Sequence, residues 1–280
     1  MTSTDRFWTG AAVITGAGSG LGAAMAARFA EQGMAIVALD IDAERAEQTA
    51  QAVRDRGGQA ISMRVDVADR AQVEAAARAA KDAFGGCNVL CANVGVQQFG
   101  AVDVLTDNDW RWVLDVNVLG VVNTVNAFLP LLRASGGNRR VVVTASSSVL
   151  VPGVRLGAYI TSKFAVMGYG ETLRMELASE GIGVSVFFPA GMSSRHLESS
   201  VAARPAELGP SVLKREDIDV MMASRKMDTA THMVTPEHAV RNLLAELEAD
   251  PRYIVSHGQY RQELVERCDD IIAAFDRAQK

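Results

Sequence analysis

The chain has 280 residues, 49% hydrophobic and 22% charged, which suits one large α/β domain with a sizeable core. A formal charge of −5, a pI near 5.5 and the lack of any Lys/Arg stripe exclude a nucleic-acid-binding surface. Three cysteines, Cys87, Cys91 and Cys268, are an odd number that excludes a paired disulfide framework and fits a reducing compartment.

Residues 1–10 are polar with no apolar h-region, and no apolar stretch approaches a bilayer span, so a soluble, cytoplasmic protein is expected. AAVIT then reads as a short buried strand that runs into GAGSGLG and a helix beginning near Leu21. Gly16, Gly18, Gly20 and Gly22 let the backbone turn tightly and approach a pyrophosphate, and the helix start offers free N–H groups and a positive dipole end. The second strand, AIVALD, ends at Asp40, an acidic residue placed to bind ribose hydroxyls and to repel a 2′-phosphate. Ile41 stands where a phosphate-binding Arg would otherwise follow, and Arg45 reads as a helix-surface residue, so NAD is expected rather than NADP. Asp42 is free to cap the next helix.

The strand–helix alternation continues. QAISMRVDV is a strand ending near Asp66 and Val67, DRAQVEAAARAAKDAFGG an amphipathic helix, and NVLCANVGV a strand running past Asn93 to a turn at Gly95. Cys87 and Cys91 flank that strand without the further Cys or His of a zinc site, so they read as small buried hydrophobes and no metal is expected. A long helix follows over DNDWRWVLDVNVLGVVNTVNAFLPLLRAS, with Pro130 near its end. Asn117 lies in it among apolar neighbours, so its amide either bonds nearby backbone or holds a water. Arg139 and Arg140 read as the solvated start of the strand VVVTAS.

From Ala158 the pattern turns helical, which sets Tyr159 and Lys163 one turn apart. A tyrosine ionises near pH ~10 and is a poor base at neutral pH, but an adjacent ammonium in a partly dry cleft favours the phenolate. Ser146, at the end of the preceding strand, is placed to bond the same oxygen. The three suit proton transfer to or from a secondary alcohol. GVSVFF is a further strand broken by PAGMSS. Residues 195–235 then lose periodicity and carry Met221, Met222, Met227 and Met233, as either a lid or binding loop or a poorly ordered loop with core-facing methionines does. The helix PEHAVRNLLAELEAD, the short strand YIVSH and an amphipathic helix over about 259–278 complete the chain. The implied fold is a single domain, residues 1–280: a three-layer, doubly wound (Rossmann) parallel sheet of about seven strands with helices on both faces.

These residues resemble the short-chain dehydrogenase/reductase family in its compact, single-domain form, over about residues 9–258. Its TGxxxGxG motif matches Thr15 to Gly22, its acidic adenine contact Asp66 with Val67, and its NNAG the segment Ala92–Gly95, where only Asn93 and Gly95 survive. Its Asn, Ser and YxxxK match Asn117, Ser146, Tyr159 and Lys163. PGxVxT corresponds to Pro189–Ser194, with Ala190 for Gly and Ser194 for Thr.

The resemblance implies a cofactor site of Gly16, Ser19, Gly20, Leu21, Gly22, Asp40, Ile41, Asp66, Val67, Asn93, Gly95, Pro189, Met192 and Ser194, shared with Tyr159 and Lys163. It implies Tyr159 as general base or acid and Lys163 on the nicotinamide ribose, lowering the Tyr159 pKa. Ser146 would hold the substrate oxygen, and Asn117 would position a relay water. The implied reaction is NAD-dependent interconversion of a hydrophobic secondary alcohol and its ketone. A ketone or 3-oxoacyl reductase and an idle dinucleotide-binding regulator are the alternatives. Pairing through the long helices of Asn117 and Tyr159 implies a homodimer or homotetramer. The segment from Tyr253 onward resembles dehydrogenases of bulky benzylic alcohols, including aryl-ether Cα-dehydrogenases. All four histidines stay outside the expected site, because a lone His is more often a surface or satisfied core residue.

Overall fold

A computed structural model describes residues 6–209, 214–224, 233–258 and 260–279. The expectations for Met227, Gln259 and the first five residues lie outside them. The strands are β1 (Ala11–Thr15), β2 (Ala35–Asp40), β3 (Ala60–Arg64), β4 (Val89–Ala92), β5 (Arg139–Thr144), β6 (Ile182–Phe188) and β7 (Tyr253–Val255). Among the described residues they form one parallel sheet in the order β3-β2-β1-β4-β5-β6-β7. The order reverses at β1, which opens a crevice at the carboxyl ends of β1 and β4, where this class of sheet binds ligands.

Helices cover both faces because alternate strand residues feed two cores. Val13, Leu90, Val141 and Val143 pack against α3 (Arg70–Phe84), α5 (Gly120–Ala134) and α6 (Gly157–Leu177), while α4 (Asp107–Leu114), which leads into α5, packs Trp112 and Val113 with Val96 and Ala158. Ile14, Val89, Cys91 and Val142 pack against α1 (Gly20–Glu31) and α2 (Ala43–Arg54), with the short helices further along the chain, α9 (Pro236–Ala239) and α10 (Leu243–Ala249). Local chemistry sets the helix ends. Asp42 accepts from Arg45 N, as expected, Asp69 accepts from the Ala71 and Gln72 amides, and Thr106 with Asp109 forms a capping box.

Four readings are corrected. The long helix is not continuous but is interrupted by a π-turn at Asp115–Leu119, centred on Asn117, while Pro130 lies near the end of α5 as expected. By length and composition the run Asp107–Ala134 does reach that of a bilayer span; here Val113, Val121, Val125, Phe128 and Leu132 are buried in the core. Arg140 is buried and not solvated: its Nε donates to Leu247 O at 2.7 Å, so it satisfies a carbonyl of α10 where that helix covers the sheet. Residues 195–235 are not an irregular loop throughout, since they contain α7 (His196–Ala202) and α8 (Arg215–Ser224). The last described helix is α11 (Arg261–Ala278).

The helix α6 lies against the sheet with no room for a side chain at Gly170, where a Cβ would stand 2.7 Å from Val186 Cγ2. Gly170→Leu should therefore lift α6, overpacking outweighing the gain in helix propensity, and lower stability by roughly 1–3 kcal/mol in urea unfolding. An unchanged midpoint would contradict this packing.

Candidate active site

The crevice is a cleft of about 710 Å³, and every expected cofactor residue from Gly16 to Ser194 lines it, together with Ser146, Tyr159 and Lys163. The chain leaves β1 at Thr15, whose hydroxyl donates to Cys91 O at 3.3 Å and accepts from the Asn93 and Val94 amides at 3.0 and 3.2 Å. Asn93 Nδ2 donates to Thr15 O, and Thr144 Oγ1 donates to Asn93 Oδ1. The ends of β1, β4 and β5 are thereby tied together under the cleft.

The phosphate end fits a dinucleotide. Gly16 has φ 66°, and a Cβ on Gly22 would stand 2.1 Å from Gly16 O, so only glycine brings α1 this close to the turn. Ser19 makes no side-chain cap and the first turn of α1 holds no acidic residue, which leaves N–H groups and the dipole for an anion. Asp40 is fixed by accepting from Gly18 N at 2.8 Å and Asp42 N at 3.0 Å. Arg45, the nearby cation, is paired with Asp42 at 2.9 Å.

At the other end stand Ser146, Tyr159 and Lys163. Ser146 Oγ accepts from Ser148 N at 3.1 Å, which leaves its proton to donate. Lys163 is buried; its Nζ donates to Thr144 O at 2.9 Å and lies 5.8 Å from the centroid of the Tyr159 ring. Burial pushes its pKa from 10.5 down to about 8, so it remains largely a cation at neutral pH. A Cβ at Gly95 would sit 3.1 Å from this ammonium, which explains the glycine above it.

Asn117 is not on the cleft wall. Its Oδ1 accepts from Val96 N at 2.7 Å, and its Nδ2 donates to Val96 O at 2.8 Å and Ser162 Oγ at 2.9 Å, while Ser162 donates to Tyr159 O. Of the two possibilities for its amide, the structure has the bond to neighbouring backbone. The π-turn thus fixes both the loop above the cleft and the first turn of α6.

Residues the sequence did not expose line or brace the far wall. Arg204 anchors the end of α7: its Nη2 lies 2.7 Å from Asp109 Oδ1, its Nε donates to Gly209 O, and its guanidinium stacks 5.3 Å above Trp112. Arg155, at φ 66°, faces Asp217 of α8 at 3.4 Å. His196, set aside in the sequence reading, lines the cleft, its ring centroid 6.1 Å from that of Tyr159. No sequence spacing marks it, since the contact depends on how α7 folds back. Cys87 and Cys91 are buried as expected, and burial raises both thiols far above their usual range, so they are inert.

Comparison with known proteins agrees with this geometry. The family model for short chain dehydrogenase matches residues 10–205. A C alpha-dehydrogenase of Sphingobium sp. is 31% identical over 93% of this chain and 85% of its own length. A 1-deoxy-11-beta-hydroxypentalenate dehydrogenase of Streptomyces exfoliatus is 34% identical over 75% of this chain and 77% of its own. The crystal structure of a short chain dehydrogenase/reductase from Burkholderia phymatum in complex with NAD superposes with a TM-score of 0.87 at 31% identity, covering 96% of each chain. The chain belongs to the short-chain dehydrogenase/reductase family and is an oxidoreductase.

The buried Lys163 ties stability to pH. Its proton is held below about 8 in the folded chain but up to about 10.5 in the unfolded one, so the cost of burying the charge is full below pH 8 and fades as pH rises to 10.5. Relative to Lys163→Met, the wild type should gain on the order of 3 kcal/mol of unfolding free energy between pH 7 and 10.5. A pH-independent difference in parallel denaturant titrations would contradict that burial.

Proposed function

We propose that this oxidoreductase is an NAD-dependent dehydrogenase that interconverts a secondary alcohol and its ketone on a hydrophobic, ring-bearing skeleton. The observation that carries the proposal is the convergence of Tyr159, Lys163 and Ser146 at one end of a cleft whose opposite wall is apolar, with Phe99, Leu156, Leu197 and Met221 packed around Tyr159. Bound NAD supplies the hydride acceptor. Ser146 donates its hydroxyl proton to the carbinol oxygen and orients it. Tyr159 takes the alcohol proton, and the Lys163 ammonium stabilises the phenolate. In the reverse direction the same phenol returns the proton. Lys163 would also hold the ribose hydroxyls, while Asp40 would hold those at the adenine end. Asn117 acts on this set from behind, by holding the Val96 loop and the start of α6.

The choice of NAD rests on Asp40, whose carboxylate disfavours a 2′-phosphate, and on the engagement of Arg45 by Asp42. The NAD complex of the Burkholderia phymatum relative supports it. The two sequence relatives compared above are named as dehydrogenases, which supports the oxidative reading. Three unpaired cysteines support a cytoplasmic setting. Leu119 and Met175, exposed at 52% and 68% on the two long helices, support pairing of copies there.

Two variants test the reading. Tyr159→Phe should lower kcat by about 10³-fold or more while NAD affinity stays within about threefold. Turnover that survives would remove Tyr159 from the chemistry. Asp40→Ala should shift the NADP/NAD ratio of kcat/KM upward by about tenfold or more. An unchanged ratio would place cofactor choice elsewhere.

A further inference from the structure

Phe99, Leu156, Leu197 and Met221 pack around Tyr159, and His196 stands beside this apolar cluster. This residue opens α7, and its imidazole is tilted at 60° to the phenol ring. Among the described residues neither ring nitrogen has a hydrogen-bond partner; the residue's backbone carbonyl accepts from Ser200 Oγ. Burial, and then the nearby Lys163 charge, push its pKa down to about 4, so at neutral pH the ring offers one N–H donor and one acceptor. An imidazole nitrogen in the cleft with no protein partner among the described residues is available to a polar atom of the substrate.

The rings' separation of 6.1 Å sets both side chains against one part of the cleft, near enough for a single small substrate to bond both. A purely packing role would need only a ring of this size, and Phe would serve as well in a wall already built from Phe99, Leu156 and Met221.

Building on the reading of Tyr159 as the group that takes the alcohol proton, we propose that His196 is a specificity residue. It hydrogen-bonds a second oxygen of the substrate, which makes the preferred substrate a secondary alcohol bearing a further hydroxyl or carbonyl oxygen close to the reacting carbinol. A site built to bond such a group discriminates against analogues that lack it, because its own polar atoms are then left unpaired.

The test compares kcat/KM for 1-phenylpropan-1-ol, 1-phenylpropane-1,2-diol and 1-phenylpropane-1,3-diol with NAD. The wild type should prefer at least one diol over the mono-alcohol by about tenfold or more. His196→Phe should bring that ratio close to one, and His196→Gln should retain part of the preference. His196→Leu carries the same expectation as His196→Phe, and NAD binding followed by tryptophan fluorescence reports whether each variant is folded. A diol preference that persists in folded His196→Phe and His196→Leu overturns the proposal, and so does a wild type that oxidises all three alcohols equally. Oxidation of none of the three counts against the underlying alcohol-dehydrogenase reading instead, and the specificity role falls with it.

Discussion

A lysine ammonium sealed beneath the carboxyl edge of the sheet is the constraint around which the rest of this structure is arranged. Lys163 has one backbone acceptor, the carbonyl of Thr144, and a phenol ring as its neighbour one helical turn away. An isolated buried cation would shed its proton, and this one is shifted in that direction but stays mostly charged at neutral pH. A charge held so close to losing its proton responds strongly to any anionic partner. A phenolate is such a partner, and the arrangement therefore couples the protonation of Lys163 to that of Tyr159.

The surroundings of the cation follow from the need to reach it. Gly170 lets α6 press onto β5 and β6, so that the lysine stem ends under the tip of β5. Gly95 leaves the space that the ammonium requires, and Asn117 fixes the residue that follows that glycine by bonding both backbone groups of Val96. The π-turn that presents Asn117 is consistent with the tendency of such irregularities to mark functional positions. The two halves of the cleft are built differently. Strand ends and a glycine turn form the dinucleotide half and leave little latitude. Short helices form the other half, held to the body by two arginines, Arg204 on Asp109 and Arg155 on Asp217. Changes in α7 and α8 can therefore alter what is bound without disturbing how the sheet presents Lys163.

What was legible in the sequence follows the same division. The strands, the phosphate turn and the Tyr159–Lys163 pair are visible because each depends on contacts within a few residues, or on periodicity sustained over several turns. The role of Asp42 as a cap is visible for the same reason. The π-turn is not, since one extra residue in a helical turn barely disturbs the apolar stripe of the helix around it. Arg140 was misread because a charged side chain at a strand start is ordinarily solvated; its partner, the Leu247 carbonyl, is more than a hundred residues distant. The helices α7 and α8 are too short to establish a period, and so His196 could not be placed: its proximity to Tyr159 arises only when α7 folds across the cleft.

The claim that a buried cation makes one phenol basic can be measured on the phenol itself. The chain has four tyrosines, of which Tyr169 is pushed up to about 12 by burial, and Tyr253 is raised by burial and by Glu171. Carbon-13 NMR of ring-labelled tyrosine in the NAD-bound protein, titrated from pH 6 to 11, would resolve each ionisation, with Tyr159 identified by the signal lost in Tyr159→Phe. The account predicts that Tyr159 ionises at least about one pH unit below the ordinary ~10. A Tyr159 signal that titrates at or above that value would mean that Lys163 does not activate it.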